Sequence, residues 1–87
     1  MKAVITVIGK DTVGIVAKVS VTCADNDVNV LEVTQSVLQE YFAMVMLVDI
    51  TRMAKDIPTL ESEIKQKLPD MEIRVMHEDI FNSMHRI

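Results

Sequence analysis

Two segments of the chain are apolar on both faces of a predicted strand. From Ala3 to Ile8 only Thr6 is polar. From Phe42 to Thr51 one alternating set points one way and another points the opposite way: Phe42, Met44, Met46, Val48 and Ile50 against Ala43, Val45 and Leu47. Strands that are apolar on both sides are typical of the interior of a sheet. The pattern therefore predicts two central strands.

Two further strands complete the predicted sheet. Val28 to Leu38 precedes the second central strand, and Gln39-Glu40-Tyr41 is the predicted turn between them, although it lacks the Asn-Gly signal of a tight hairpin. Antiparallel pairing is expected there. Met71 to Met76 alternates apolar with charged residues, which is typical of a half-exposed edge strand.

The segment from Thr12 to Asn26 combines strand-like composition with helical spacing. Many of its residues are β-branched, but Ile15, Val16, Val19 and Cys23 recur at helical intervals while Lys18, Thr22 and Asp25 fall on the opposite face. Periodicity favours a helix. We expect Asp11 or Thr12 to cap its first turn, and Asn26 or Asp27 to end it in a left-handed conformation.

Two more helices follow. Asp56 to Leu68 has the clearest apolar stripe, with Pro58 in its first turn and Pro69 after its end. Residues 77–87 form a tail, in which Glu78 to Ile87 is predicted as a short helix with Ile80, Phe81, Met84 and Ile87 on one side.

The order β-α-β-β-α-β predicts one α+β domain spanning residues 1–87. The expected fold is the ferredoxin-like sandwich, a four-stranded antiparallel sheet with two helices on one face, plus the short C-terminal helix. Because the central strands are apolar on both sides, the face away from the helices also needs a cover. We expect a second subunit or the tail to provide it.

Composition excludes several functional classes. The net charge of -4 and the absence of aromatic residues from the first strand argue against a nucleic-acid binder, and the single cysteine argues against a secreted disulfide-linked protein. No signal peptide is recognisable, and no run approaches the roughly 20 apolar residues of a membrane span. A cytoplasmic protein is expected, one that binds neither nucleic acid nor membrane.

The segment from Gly9 to Val16 carries a recognisable motif. Asp11-x-x-Gly14-Ile15-Val16 is followed, fifteen positions after Gly14, by Asn29 in Asp27-Val28-Asn29-Val30. This spacing resembles the ACT domain pattern, except that Val13 stands where the family usually has Pro and Asp27 where it usually has Gly. The tail further resembles uncharacterised stand-alone ACT proteins of bacteria and archaea.

The resemblance implies a regulatory module that binds an amino acid or related metabolite at this loop, often across a dimer interface, and regulates a partner protein. The residues suit such a ligand. The backbone N–H groups of Val13, Gly14 and Ile15 can donate to an α-carboxylate, Asp11 can accept from an α-ammonium, and Asn29 can do both. Thr12 belongs to the same loop. A purely structural interpretation remains open, in which these residues only cap the helix, allow packing or form turns.

Catalysis, metal binding and a cofactor are not expected. Cys23 lies in an apolar helix stripe, with neither His77 nor His85 placed near it by the sequence. Those two histidines would be about 12 Å apart along one helix, too far for a single ion. The alternative to a small-molecule sensor is a dimerisation or protein-interaction module without a ligand, and no enzymatic activity is predicted for either.

Overall fold

The computed structural model describes residues 1–84, and its elements follow the predicted order. The strands are β1 (Lys2–Lys10), β2 (Asn29–Leu38), β3 (Tyr41–Asp49) and β4 (Glu72–His77), and the helices are α1 (Ile15–Asp25), α2 (Ile57–Lys67) and α3 (Glu78–Met84).

All four strands form one antiparallel sheet in the order β2-β3-β1-β4. This confirms the ferredoxin-like α+β fold, and it places β1 and β3 at the centre as their two-sided apolar pattern predicts. Since β1 and β2 both run antiparallel to β3, they run in the same direction. The start of β2 therefore lies at the end of the sheet where β1 starts, and the end of β2 lies where β1 ends.

The main core lies between one face of the sheet and the helices α1 and α2. Its largest fully buried side chains are Ile5, Met44, Met46, Leu60, Ile64 and Ile73. Burying a side chain of this size stabilises the fold by about 1.5–3 kcal/mol relative to leaving it exposed. In α1 the buried stripe contains Ile15, Val19 and Cys23, which accounts for a helix in a segment rich in β-branched residues.

Two residues of α1 depart from the predicted faces. Val16 was expected in the apolar stripe, but it is 38% exposed. Thr22 was expected on the polar face, but it is only 1% exposed. Its hydroxyl donates to the carbonyl oxygen of Lys18 at 2.8 Å. A threonine that satisfies its hydroxyl within its own helix can be buried at little cost, and a count of polar residues does not reveal this.

A buried asparagine joins α1 to α2. The amide Nδ2 of Asn26 donates to the carbonyl oxygen of Thr22 at 2.8 Å and to Oε1 of Glu63 at 3.1 Å. Glu63 also accepts from Nζ of Lys55 at 2.8 Å. The hydrogen bond from Lys55 contributes most to lowering the pKa of the Glu63 carboxyl group, and the bond from Asn26 contributes next. Asp27, at φ 58°, provides the predicted left-handed residue after the helix.

A side chain from α2 covers the outer edge of β4. Oε2 of Glu61 accepts the backbone N–H of Val75 at 2.8 Å, so this N–H is not available to another strand. The start of α2 is fixed by Asp56, whose side chain accepts from the backbone N–H of Thr59 at 2.9 Å. Covered edges resist pairing with other chains.

The helix α3 lies on the face of the sheet opposite α1 and α2. Within residues 1–84 it contacts β1 and β4 but not α2, which packs on β4 from the other side. Val4 points towards this second face and is only 4% exposed, although it is not part of the main core. The described part of the tail therefore covers part of that face.

Much of this second face is nevertheless exposed. Ile8, Tyr41 and Val45 are 54%, 56% and 39% exposed. Within α3, Phe81 is half-buried while Ile80 and Met84 remain exposed. The predicted tail residues His85 and Ile87 lie outside the described residues.

The β2–β3 turn is shorter than predicted. Leu38 pairs with Tyr41, so only Gln39 and Glu40 form the connection, and Gln39 adopts a φ of 57°. Two-residue hairpins need a positive φ because it matches the twist of the flanking strands. Here a glutamine takes the conformation that Asn or Gly usually supplies.

Candidate ligand site at the β1–α1 loop

The start of α1 has no side-chain cap. The expected cap by Asp11 or Thr12 is wrong, because the N-cap residue is Gly14 and no side chain accepts a hydrogen bond there. The hydroxyl of Thr12 donates instead to the carbonyl oxygen of Val13 at 3.3 Å. In the part of the chain that the structure describes, no hydrogen bond involves the backbone N–H of Val13, Gly14 or Ile15.

Gly14 is required by its backbone conformation. Its φ is 88°, in the left-handed region that other residues rarely adopt. A Cβ at this position would meet only Cε of Lys18, at 3.9 Å, so tight packing does not explain the glycine. The backbone at the helix start is thus open to solvent. Val13 beside it is 95% exposed, whereas Ile15 is buried and fixes the helix in the core.

Asp11 stands next to these free N–H groups. Its backbone N–H donates to the carbonyl oxygen of Glu40 at 2.7 Å, which ties the loop to the β2–β3 turn. Its carboxylate is exposed and takes part in no ion pair within residues 1–84. Within five consecutive residues the loop therefore contains free backbone donors and a free carboxylate, the two kinds of group that an amino acid's carboxylate and ammonium can pair with.

Asn29 does not lie with the other predicted site residues. It opposes Asp49 on β3, which in turn opposes Lys2 at the start of β1, whereas the loop follows Lys10 at the end of β1. Eight residue steps separate these two ends of β1, or roughly 26 Å at the rise of a strand. In one chain the structure brings Asp11, Thr12, Val13, Gly14 and Ile15 together and places Asn29 at the other end of the sheet.

The end of the sheet that contains Asn29 has an open cavity of about 520 Å³. It is lined by Asp27, Val28, Asn29, Asp49, Thr51 and Arg52. Arg52 lies outside every sequence motif, and the one sequence signal for it is a basic residue directly after the predicted strand Phe42 to Thr51.

One carboxylate in this cavity is already occupied. Oδ1 of Asp49 accepts from the hydroxyl and the backbone N–H of Thr51, at 2.6 and 2.9 Å. Both bonds lower the pKa of the carboxyl group, and the bond from the hydroxyl has the larger effect. The N-terminal ammonium of Met1 and the side chain of Lys2 act in the same direction. Arg52 takes part in no ion pair in the described part of the chain.

The groups that could support catalysis or metal binding are not arranged for either in the described part of the chain. Burial raises the pKa of the Cys23 thiol to about 11, so the thiolate is scarce at neutral pH. Nδ1 of His77 accepts the backbone N–H of Asp79 at 3.1 Å, at the start of α3. Residues 1–84 contain no group of three or more His, Cys, Asp or Glu side chains placed to hold a metal ion. They also contain no helix long and apolar enough to span a membrane.

Comparison with known proteins gives consistent matches. Residues 2–78 match the family model of the ACT domain. A UPF0237 protein of Clostridium perfringens is 49% identical, and the match covers 100% of both chains. A UPF0237 protein of Methanocaldococcus jannaschii is 42% identical, over 99% of this chain and 98% of its own. An ACT domain protein from Streptococcus pneumoniae superposes with a TM-score of 0.76 and 39% identity, over 93% of each chain.

Proposed function

This chain belongs to the ACT domain family, and from that premise we propose that it is a non-catalytic regulatory module that binds an amino acid or related carboxylate. ACT domains are typically regulatory and ligand-binding, and they commonly form dimers. The ligand lies at the β1–α1 loop, near the interface of a homodimer, and its binding regulates a partner protein.

The uncapped helix start beside the unpaired Asp11 carboxylate is the observation that carries this proposal. The free N–H groups of Val13, Gly14 and Ile15 donate to the α-carboxylate, because the N-terminus of a helix favours an anion. The Asp11 carboxylate accepts from the α-ammonium. A head group bound in this way replaces the hydrogen bonds that a capping side chain would otherwise supply.

The position of Asn29 supports a site shared between two chains. Two copies that pair their β2 strands antiparallel about a two-fold axis bring the start of one β2 beside the end of the other. Asn29 of one copy then faces the Asp11 loop of the second copy, where its amide completes the site. Within a single chain the two cannot meet, because the length of β1 separates them.

The edge of β2 is suited to this pairing. It is ten residues long and exposed along nearly its whole length, whereas Glu61 covers the edge of β4. Long exposed strand edges are sites of pairing with other chains. Val33 and Val37, 43% and 56% exposed, lie on the helix side of β2. With a two-fold axis near Gln35, Val33 of each copy would lie opposite Val37 of the other copy.

Calorimetry with the twenty amino acids tests the ligand. At least one is expected to bind, and Asp11→Asn should weaken it by about tenfold to a hundredfold, which corresponds to the loss of a charge-assisted hydrogen bond of about 1.5–3 kcal/mol. Asp25→Asn is the matched control, because it removes an exposed carboxylate at the far end of α1 and should leave binding unchanged. Absence of binding by all twenty, with the protein folded, contradicts the proposal.

Mixing two variants tests whether the site is shared. The Asp11→Asn and Asn29→Ala homodimers should each bind poorly. After subunit exchange in equal amounts, roughly a quarter of the sites should regain full affinity, because each mixed dimer has one intact site and one doubly altered site. A site contained in one chain would regain nothing on mixing.

The dimer surface has its own test. Light scattering should give a dimer mass for the unmodified protein and a monomer mass for Val37→Lys, which places a charge at the proposed interface. Met84→Lys is the control, since Met84 is 65% exposed on α3, which contacts β1 and β4 rather than β2. A dimer that persists in Val37→Lys places the interface elsewhere.

The exposed second face of the sheet supports an alternative function, the docking of another protein without any small ligand. Ile8, Tyr41 and Val45 remain exposed there, and apolar surface of this kind marks interaction sites. A protein that binds none of the twenty amino acids but loses its partner in cells when Ile8 or Val45 is changed to Lys would favour this alternative.

A further inference from the structure

We propose that Arg52 belongs to the ligand site and makes it selective for amino acids that carry a second carboxylate in their side chain. This inference rests on the proposed function, because it takes the head group to be bound at the Asp11 loop of one copy. The side chain of the ligand then extends towards the Asn29 end of the other copy, where the cavity containing Arg52 opens.

Arg52 is free to bind a ligand. It lies three residues after the end of β3, and it lines the same cavity as Asn29. The Arg52 side chain is exposed and forms no ion pair with any residue from 1 to 84. A guanidinium group has donors in a planar fork that fits a carboxylate bidentately. A free guanidinium beside the amide that is proposed to contact the ligand therefore favours an anionic group at this point.

Among the described residues, Arg52 is the one positively charged side chain in the lining of the cavity. Asp27 and Asp49 are the negative groups in its lining, and Arg52, the Met1 ammonium and Lys2 are the positive ones in or next to it. Asp49 is held by Thr51 and by the Met1 ammonium, 3.8 Å away, so its charge is locally balanced. Asp27 and Arg52 take part in no ion pair within residues 1–84, so they are the two charges of the lining that remain available to a ligand.

Because Asp27 and Arg52 have opposite charges, removing each charge should change the affinity for an acidic ligand in opposite directions. A purely structural role of either residue does not predict this opposition. Both residues are exposed, and Asn tolerates the left-handed conformation of position 27, so neither substitution should unfold the protein. Arg52→Gln removes a positive charge from the cavity and should weaken binding of an acidic ligand. Asp27→Asn removes a negative charge and should strengthen it.

The experiment is calorimetry with aspartate and glutamate against asparagine and glutamine, which have nearly the same shape but an uncharged amide in place of the side-chain carboxylate. In the unmodified protein one acidic amino acid should bind at least tenfold more tightly than its amide. Arg52→Gln should abolish that preference while leaving the affinity for the amide within about twofold, and Arg52→Lys should restore only part of it. Asp27→Asn should raise the affinity for the acid two- to fivefold, an effect that high salt should reduce.

The outcomes separate this inference from the proposed function. If a neutral amino acid binds best and Asp11→Asn weakens it while Arg52→Gln does not, the loop site stands and the role of Arg52 is refuted. If no amino acid binds at all, both are refuted. If an acidic amino acid binds but Arg52→Gln lowers the affinity for acid and amide equally, Arg52 acts on the structure of the site and the selectivity inference is wrong.

Discussion

Replacing Asn26 with Ala should destabilise the protein through the loss of the two hydrogen bonds that this buried side chain donates. Asn26 is 6% exposed, and its Nδ2 donates to the Thr22 carbonyl and to the Glu63 carboxylate. Alanine removes both bonds but leaves the backbone bond from residue 26 to Cys23 in place. At about 1 kcal/mol for each bond, the expected loss in the free energy of unfolding is about 2 kcal/mol.

Denaturant unfolding followed by circular dichroism measures this loss, and the melting temperature should fall by roughly 8–16 °C for a domain of this size. Glu63→Gln is the informative companion, because its amide oxygen still accepts from Asn26 while the charge that pairs with Lys55 is gone. It should cost less than Asn26→Ala. Protein concentration must be held constant, since dimer formation adds to the apparent stability.

A double-mutant cycle separates the two bonds of Asn26. If the bond to Glu63 matters, the changes Asn26→Ala and Glu63→Ala should together cost less than the sum of the single changes. An Asn26→Ala protein within 0.5 kcal/mol of the unmodified one, a threshold typical of surface substitutions, would refute the reasoning that this residue holds α1 against α2.

Three further predictions concern other parts of the fold. Gly9→Ala should lower stability by about 1–3 kcal/mol in a melting experiment, since its Cβ would lie 2.7 Å from Sδ of Met71, and an unchanged melting temperature would show that Met71 moves aside freely. Cys23 should react with a thiol reagent at pH 8 far more slowly in the native protein than in urea, because burial raises its pKa to about 11, and equal rates would contradict that burial. Deleting residues 78–87 should lower the melting temperature or cause aggregation, because it uncovers apolar surface beneath α3, and a truncated protein that melts and migrates like the full chain would show that α3 adds nothing.

The positions of the central strands were predictable from the sequence because a strand that is buried on both sides has apolar residues at nearly every position. β1 and β3 contain few polar positions, and the structure confirms them as the interior of the sheet. The helical periodicity of Ile15, Val19 and Cys23 was equally informative against a β-branched composition. In each case the same local pattern determines both the element and the face it buries.

The positions of single polar residues were less predictable. Thr22 and Asn26 are buried because each finds a hydrogen-bond partner, one in its own helix and the other in a helix 37 residues away. Burial of a polar group depends on whether a partner is present, and for Asn26 that partner comes from distant sequence. The missing side-chain cap at Gly14 has a similar origin, because the chain enters α1 through a left-handed glycine rather than through an extended Asp11 or Thr12.

The sequence by itself determined the order of the elements, the central strands and the loop motif around Asp11 and Gly14, because these features depend on residues close together in the chain. Only the tertiary structure decided which of the motif's residues can meet. Asp11 and Asn29 are separated by the length of β1, because β1 and β2 run in the same direction on either side of β3. Strand direction and register are properties of the whole sheet, and they also place Arg52 beside Asn29 in one cavity.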